Sequence, residues 1–234
     1  MDIDYQNYHR DADYMKFESL FRNVFLKRFS IIKNFSKSRG IVLDIGASNG
    51  VMLDIFKGEG WKTWGVEPSK SASVAKDKGH KVIKDIFERA KLPKNYFDVI
   101  VLNHTLEHMD DALFVLKKVY GLLKKEGIVF VDVPNFGSLA SRILGKRWPY
   151  LLPEEHKHQF TQRGLQDILQ KSGYKILHFE SRSGLYEYAN PLVELWQSLI
   201  TLRKRFFFNV ITLPYATLVT ILNMGDSMSM VGRK

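Results

Sequence analysis

The residues of this chain best suited to chemistry surround a glycine turn in VLDIGASNG, residues 42–50. Gly46 and Gly50 have no Cβ, so the backbone there can approach a ligand closely. The turn has no lysine, unlike the P-loop that holds nucleoside triphosphates. Its glycines lie four residues apart, which differs from the Gly-x-Gly-x-x-Gly spacing of dinucleotide sites. The pattern therefore predicts a ligand without a pyrophosphate.

Two acids indicate what that ligand carries. Asp44 stands directly before the turn, where a carboxylate would repel a pyrophosphate but would suit an ammonium group. Glu67 ends the next apolar segment, at roughly the distance expected for a carboxylate that accepts hydrogen bonds from ribose hydroxyls. A ligand with a ribose and a cationic end fits both acids, and S-adenosylmethionine is such a ligand.

The order of motifs resembles that of class I S-adenosylmethionine-dependent methyltransferases, in the type 11 and type 23 branch that acts on small molecules and bacterial glycans. The motifs that carry the resemblance, between residues 40 and 135, are VLDIGASNG, WGVEPS, KVIKDIFE, FDVIVLNHTLEHMDD and GIVFVDVPN. The resemblance implies methyl transfer with S-adenosylmethionine as cofactor. It also implies a doubly wound, Rossmann-like α/β fold whose seven-stranded sheet is mostly parallel.

The resemblance also assigns cofactor contacts residue by residue. The expected contacts are Asp44, Gly46, Ala47, Ser48, Gly50, Glu67, Pro68, Asp85, Ile86, Asn103 and His104. By this resemblance, Glu67 binds the ribose, while Asp85 meets the adenine amino group and Ile86 packs on the ring. The alternatives to cofactor binding are that Asp85 is a helix cap or a surface acid and that His104 is a simple loop histidine.

A loop after the fifth predicted strand is expected to meet the methyl acceptor. In the resembling branch a Pro-x-x-His-x-x-x-Phe-Thr stretch stands here; this chain has PEEHKHQFT, preceded by Trp148 and Tyr150. Transfer to a hydroxyl requires loss of a proton, and histidine is the commonest base. The candidate catalytic residues are His156, His158, His108 and His104, with Glu107 able to orient one of them. The alternative is that these histidines only hold the loop in place.

The same histidines do not predict a metal site. His156 and His158 are two residues apart rather than four, and the chain has no cysteine. We therefore expect no bound metal.

The elements that must position these residues alternate between strand and helix, which predicts a parallel sheet covered on both faces. Strands are predicted at 40–46, 61–68, 80–84, 97–103, 127–135, 174–181 and 225–234, and helices at 12–37, 49–60, 69–79, 110–127 and 161–173. We expect one domain over residues 1–234. Its parts are an N-terminal helical cap at 1–39, a cofactor-binding core at 40–135 and an acceptor-side half at 136–234.

A helical insertion at residues 190–225 precedes the last predicted strand. Its nearly uniform apolar run from Phe206 to Leu222 is shorter than the ~20 residues of a membrane-spanning helix. Arg203, Lys204 and Arg205 directly precede that run. Such a segment either lies peripherally on a membrane, or it caps the sheet or forms a homodimer contact.

Charge and composition restrict the class of partner and the expected localisation. The net charge of +10 suits an anionic partner, but no nucleic-acid motif is present, so we expect no nucleic-acid partner. The polar N-terminus predicts a cytoplasmic protein, peripheral at the inner membrane face if the insertion meets lipid.

The favoured function is O-methylation of a sugar hydroxyl in a surface glycan or in its nucleotide- or lipid-linked precursor. The alternatives are methylation of a quinone-like or other small lipid-soluble acceptor, and a non-catalytic S-adenosylmethionine-binding protein.

Overall fold

The computed structural model describes residues 18–36, 39–200 and 204–234. Its strands are β1 Ile41–Ile45, β2 Lys62–Val66, β3 Lys81–Ile83, β4 Phe97–Asn103, β5 Leu123–Pro134, β6 Lys175–Arg182 and β7 Ser227–Arg233. Its α-helices are α1 Glu18–Phe35, α2 Val51–Gly58, α3 Ser71–Asp77, α4 Ala112–Leu122, α5 Leu139–Leu144, α6 Gln162–Lys171, α7 Pro191–Ile200 and α8 Lys204–Ile221. The part of the predicted first helix before residue 18 lies outside the described residues.

The strands form one seven-stranded sheet in the order β3-β2-β1-β4-β5-β7-β6. All neighbouring pairs from β3 to β5 are parallel, and β7 runs antiparallel between β5 and β6. The expected α/β class and mostly parallel sheet are confirmed. Because the chain leaves β1 toward β2 on one side and returns as β4 on the other, a crevice opens at the carboxyl ends of β1 and β4.

The two faces of the sheet are both covered, which is why its central strands are apolar throughout. Side chains of β1, β4 and β5 alternate between the faces. On one face Val42 and Val101 join a core with α1 and α2, where Phe29 of α1 packs edge-on against Phe56. On the other face Leu43 joins a second core, which includes side chains of α4 and α6. The crevice therefore lies at the end of strands that are packed on both faces.

The fourth helix is shorter than predicted. It ends at Leu122, and the segment expected to continue it is already strand β5. Leu123 pairs with Phe97, and the register then shifts before the next pairs form. Glu126 adopts φ +65°, which ends any helical path. The predicted boundaries of α6 are confirmed, since the Thr161 hydroxyl accepts a hydrogen bond from the Gly164 N–H at 3.1 Å.

The insertion before the last strand forms α7 and α8, which pack against each other and against a short 3₁₀ turn, Gly184–Glu187. Pro214 lies inside α8. Within the described ranges, every helix is too short or too polar to cross a bilayer.

Candidate functional site

The glycine turn sits at the carboxyl end of β1, where the sequence placed it. Gly46 and Gly50 adopt φ +80° and +83°, and the Gly46 N–H donates to the Val66 carbonyl at 2.8 Å. A Cβ on Gly46 would lie 2.7 Å from the Thr105 hydroxyl oxygen, so the loop after β4 packs directly against the turn. Gly46 is therefore required both by its backbone conformation and by this close approach.

Glu67 holds the turn in place from the end of β2. Its buried carboxylate accepts the Ser48 N–H on one oxygen and the Ser69 N–H on the other, each at 2.8 Å. A carboxylate oxygen has two lone pairs, so each oxygen can still accept a ribose hydroxyl. The predicted ribose acceptor is thus also a structural clamp on the loop that would cradle the cofactor.

Asp44 is the position in the site that favours a positively charged group of a ligand. This side chain is buried, and burial first and the charge of Glu67 second raise its pKa to about 8. Nearby, Ser48 Oγ, Asn49 Oδ1 and Asn103 Oδ1 are buried without a hydrogen-bond partner within the described part of the chain. Two buried acids and three unsatisfied oxygens fit a polar, cationic ligand, as S-adenosylmethionine is.

Beyond β3, the predicted adenine contacts have mainly local partners. Asp85 Oδ1 accepts the Ile86 N–H at 2.8 Å and pairs with Arg89 at 3.2 Å. Pro68 and Ile86 are half-buried. Since β2 and β3 are parallel neighbours, these residues follow strand ends on one edge of the sheet. The contact of Asp85 with adenine stays a prediction.

His104 directly follows β4 and lies between two carboxylates. Its Nδ1 lies 3.3 Å from Glu107 Oε1, and its Nε2 lies 3.4 Å from Asp132 Oδ1. Burial would lower the pKa of His104, but these two carboxylates outweigh it and raise that pKa. Burial likewise opposes the charge on Glu107, yet the contact with His104 lowers its pKa. His104 is therefore suited to hold a proton rather than to remove one.

His108 and His156 meet at the same carboxylate. Their rings pack edge-on at 4.8 Å, and one ligand atom from each lies within 4.8 Å of the other and of a Glu107 oxygen. Nδ1 of His108 lies 2.9 Å from the Glu155 carbonyl, and Nδ1 of His156 lies 3.0 Å from the Tyr150 carbonyl. When Nδ1 donates to a carbonyl, the neutral ring keeps its basic lone pair on Nε2.

Two hydrogen bonds dock the acceptor loop onto the segment after β4. One is the His108–Glu155 bond, and in the other the His158 N–H donates to the Glu107 carbonyl at 3.1 Å. The His158 ring lies 5.8 Å from that of Phe160. The fold thus gathers His104, His108 and His156 around Glu107, whereas His158 bonds to Glu107 through its backbone.

Glu107, His108 and His156 form a donor set that could hold a metal ion. Backbone carbonyls on the second nitrogen of each ring are also found around metal-bound histidines. The spacing argument compared only His156 with His158. It could not reveal a cluster whose members are distant in sequence and meet only in the folded chain. The expectation of no bound metal stays a prediction.

Sequence reasoning missed a buried charge network behind His104. Asp132 of β5 pairs with Arg28 of α1 at 3.4 Å and with Arg182 of β6 at 2.7 Å. Burial opposes the charge of Asp132, but the two guanidinium groups more than offset it and hold its pKa well below the usual range. Two features of the sequence could have indicated this network. One is the single acid, Asp132, within an apolar strand, and the other is a single arginine, Arg28, on an apolar helix face.

The aromatic residues before the acceptor loop play different parts. Trp148 is buried, and its Nε1–H donates to Asp226 at 2.9 Å, so its indole belongs to the scaffold. Tyr150 is 44% exposed and supplies the carbonyl that faces His156. Of the two, only Tyr150 has a side chain open to an acceptor.

A fold of this topology, with an acid-flanked glycine turn and a ribose-type carboxylate, defines a class I S-adenosylmethionine-dependent methyltransferase. A family model described as a methyltransferase domain matches residues 17–179, and the chain belongs to that family. S-adenosylmethionine is accordingly its methyl donor.

Known proteins similar to the chain agree with this class. Ubiquinone biosynthesis O-methyltransferase of Rhodopseudomonas palustris strain TIE-1 is 28% identical over 201 residues, 80% of this chain and 73% of that protein.

A Thermotoga maritima structure described as a possible histamine N-methyltransferase matches with a TM-score of 0.64 at 20% identity, covering 95% of each chain. Phosphoethanolamine N-methyltransferase 2 of Haemonchus contortus, solved with S-adenosylmethionine, matches with a TM-score of 0.70 at 18% identity, covering 100% of this chain and 60% of that one. At these identities the structural matches support the fold.

Proposed function

We propose that the chain transfers the methyl group of S-adenosylmethionine to a hydroxyl of a small-molecule acceptor. The observation that carries the proposal is the pair of histidines beside Glu107, each with Nδ1 within hydrogen-bond distance of a backbone carbonyl, an arrangement that puts the basic lone pair of a neutral ring on Nε2. A hydroxyl needs such a base in methyl transfer, because it must lose its proton as the new bond forms.

S-adenosylmethionine, when bound, supplies an electrophilic methyl group whose bonding electrons stay with the sulfur. His156 takes the acceptor proton on Nε2, and Glu107 stabilises the imidazolium that results. His104, held between Glu107 and Asp132, fixes the orientation of Glu107. Positioning of the acceptor contributes as well, with proximity worth at most about 7–11 kcal/mol of the barrier.

The acceptor we propose is lipid-linked, and the chain meets it as a peripheral protein at the inner face of the membrane. The support is the outward face of α7 and α8, where Leu192, Ile211 and Ile221 are 80%, 76% and 73% exposed. A lipid-linked sugar of a surface-glycan precursor is the first candidate. A quinone-like phenol is the second, and the name of the Rhodopseudomonas palustris relative favours it.

A methyl-transfer panel tests the proposal. Radiolabelled S-adenosylmethionine is offered with nucleotide sugars, polyprenyl-phosphate-linked sugars and prenylated catechols. We expect label in an alkali-stable methyl ether of a lipid-linked acceptor, and loss of label with the His156→Ala variant. Label confined to amines, or transfer unaffected by every histidine variant in the cluster, would contradict base-assisted O-methylation.

A further inference from the structure

Helices α7 and α8 expose many apolar side chains and bury several polar ones. Their buried positions include the polar Glu194 and Ser198 of α7 and Asn209 of α8, together with the apolar Ala216 and Val219. Their exposed positions are largely apolar: Leu192, Val193, Trp196, Leu199, Ile200, Phe207, Phe208, Val210, Ile211, Leu213, Leu218 and Ile221. A surface helix of a protein surrounded by water has the opposite arrangement. An exposed apolar face of this extent marks an interaction surface.

The exposed apolar face belongs to a stretch of sequence whose charges are mainly positive. Between residues 189 and 225 the sequence has one acidic residue, the buried Glu194, against Arg203, Lys204 and Arg205. Helix α5 begins beside the end of α8, where the Leu139 N–H donates to the Met224 carbonyl at 3.0 Å.

The surface continues onto α5 and the turn that follows it. Ile143 and Leu144 are exposed there, flanked by the exposed Arg142, Lys146 and Arg147. The surface is therefore apolar and basic together, as the surface of an anionic bilayer requires.

We propose that the α7–α8 hairpin inserts its outward face into one leaflet of an anionic lipid bilayer. At 1.5 Å per residue, the 18 residues of α8 extend about 27 Å, less than the ~30 Å hydrocarbon core. Pro214 and the buried Asn209 further set α8 apart from a spanning helix. The hairpin thus anchors the chain to one side of the membrane.

A bilayer fits this surface better than a second copy of the chain does. In a two-fold dimer the same surface faces itself. The exposed Arg142, Lys146 and Arg147 of one copy would then face the same basic surface of the other copy. Anionic headgroups instead supply the missing charge.

The hairpin is connected to the candidate site. The Tyr186 hydroxyl lies 2.8 Å from the Thr217 hydroxyl of α8. One residue further along the same 3₁₀ turn, the Glu187 carbonyl accepts from Arg28 at 2.9 Å, and Arg28 pairs with Asp132 beside His104. Docking would thus bring the lipid surface to the acceptor side. This inference extends the proposed function by naming its membrane partner, but it is measured independently of methyl transfer.

Vesicle flotation of the full chain is the test. We expect the wild type to float with phosphatidylglycerol-rich vesicles at low salt and to bind phosphatidylcholine vesicles less. Added salt should weaken the binding without abolishing it, since it screens charge but leaves the apolar contact. Replacing Arg203, Lys204 and Arg205 with Gln should weaken binding by about fivefold for each charge removed.

A second variant tests the apolar face itself. Leu192→Glu, Ile211→Glu and Ile221→Glu together change exposed positions only, and we expect partitioning to fall about tenfold or more. The matched control, Ser73→Glu, Phe114→Glu and Gln170→Glu, adds the same charge at exposed positions of α3, α4 and α6 and should bind better than the hairpin variant. Equal binding by both variants would overturn the assignment of the surface.

Trp196 offers a direct readout, because it is 64% exposed whereas Trp61 and Trp148 are buried and Trp64 is half-buried beneath Lys81. Its fluorescence should shift to shorter wavelength on anionic vesicles, and Trp196→Phe should remove that shift. A wild type that stays in the soluble fraction would overturn the proposal, and a concentration-dependent mass would then assign the face to a dimer. Water-soluble acceptors assayed without vesicles report on methyl transfer alone, so failure of the anchor and failure of the proposed function are distinguishable.

Discussion

Replacing Glu67 with glutamine tests the cofactor edge of the site at one side chain. The variant keeps the shape of the residue and one acceptor oxygen but removes the charge. In the structure that charge receives the Ser48 and Ser69 N–H groups at 2.8 Å and faces the expected ribose position. Hydrogen bonds to charged groups contribute about 1.5–3 kcal/mol. Since about 1.4 kcal/mol is a factor of ten, affinity for S-adenosylmethionine should fall about 10- to 150-fold.

The same substitution should also lower stability, because the new amide turns an N–H donor toward one of the two backbone donors. For a chain of this size, about 1.5–3 kcal/mol corresponds to a Tm about 3–12 °C lower. Calorimetric titration with S-adenosylmethionine, at a temperature where circular dichroism shows the variant folded, separates the two effects. The control is Glu59→Gln, which removes a carboxylate that is 48% exposed and pairs with Lys33 at the surface. A folded Glu67→Gln protein with wild-type affinity would refute the ribose assignment.

Further expectations concern the acceptor side and the charge of the cofactor. His156→Ala should lower turnover by about 10²–10⁴ and leave S-adenosylmethionine affinity unchanged, with His158→Ala as the control; wild-type rates in both would exclude that loop as the source of the base. The raised pKa of Asp44, about 8, means that binding of a cationic ligand near neutral pH should release a proton, and affinity should rise with pH up to that value. Calorimetry in buffers of different ionisation enthalpy should show this release in the wild type and less of it in Asp44→Asn; equal release would contradict the assignment. Dialysis against a chelator should leave turnover unchanged, whereas a loss restored by divalent cations would assign Glu107, His108 and His156 to a metal.

The fold and the cofactor edge could be predicted from local patterns. The turn from Asp44 to Gly50 and the carboxylate at Glu67 lie at strand ends, and the ends of parallel strands meet at one edge whatever the rest of the chain does. The helix end misplaced at Leu123 followed from a register shift in β5 that apolar spacing does not record.

The acceptor side depends on contacts between distant residues, which a single sequence does not reveal. His156 reaches Glu107 only because the loop docks through Glu155 and His158. The inward face of the hairpin was likewise invisible, since Glu194 and Asn209 look like ordinary surface residues until packing shows them buried. The basic-then-apolar pattern indicated an interface, but its outward orientation came from the structure.

Methyl transfer to a membrane-bound acceptor tests the central claim most directly. The chain and radiolabelled S-adenosylmethionine are incubated with anionic vesicles that carry either a polyprenyl-phosphate-linked sugar or a prenylated catechol. The lipids are then extracted into an organic phase, and that phase is treated with alkali. The account predicts alkali-stable methyl ether in that phase, with far less formed by His156→Ala. Absence of label from the oxygen of either acceptor, in a protein that binds both S-adenosylmethionine and the vesicles, would contradict it.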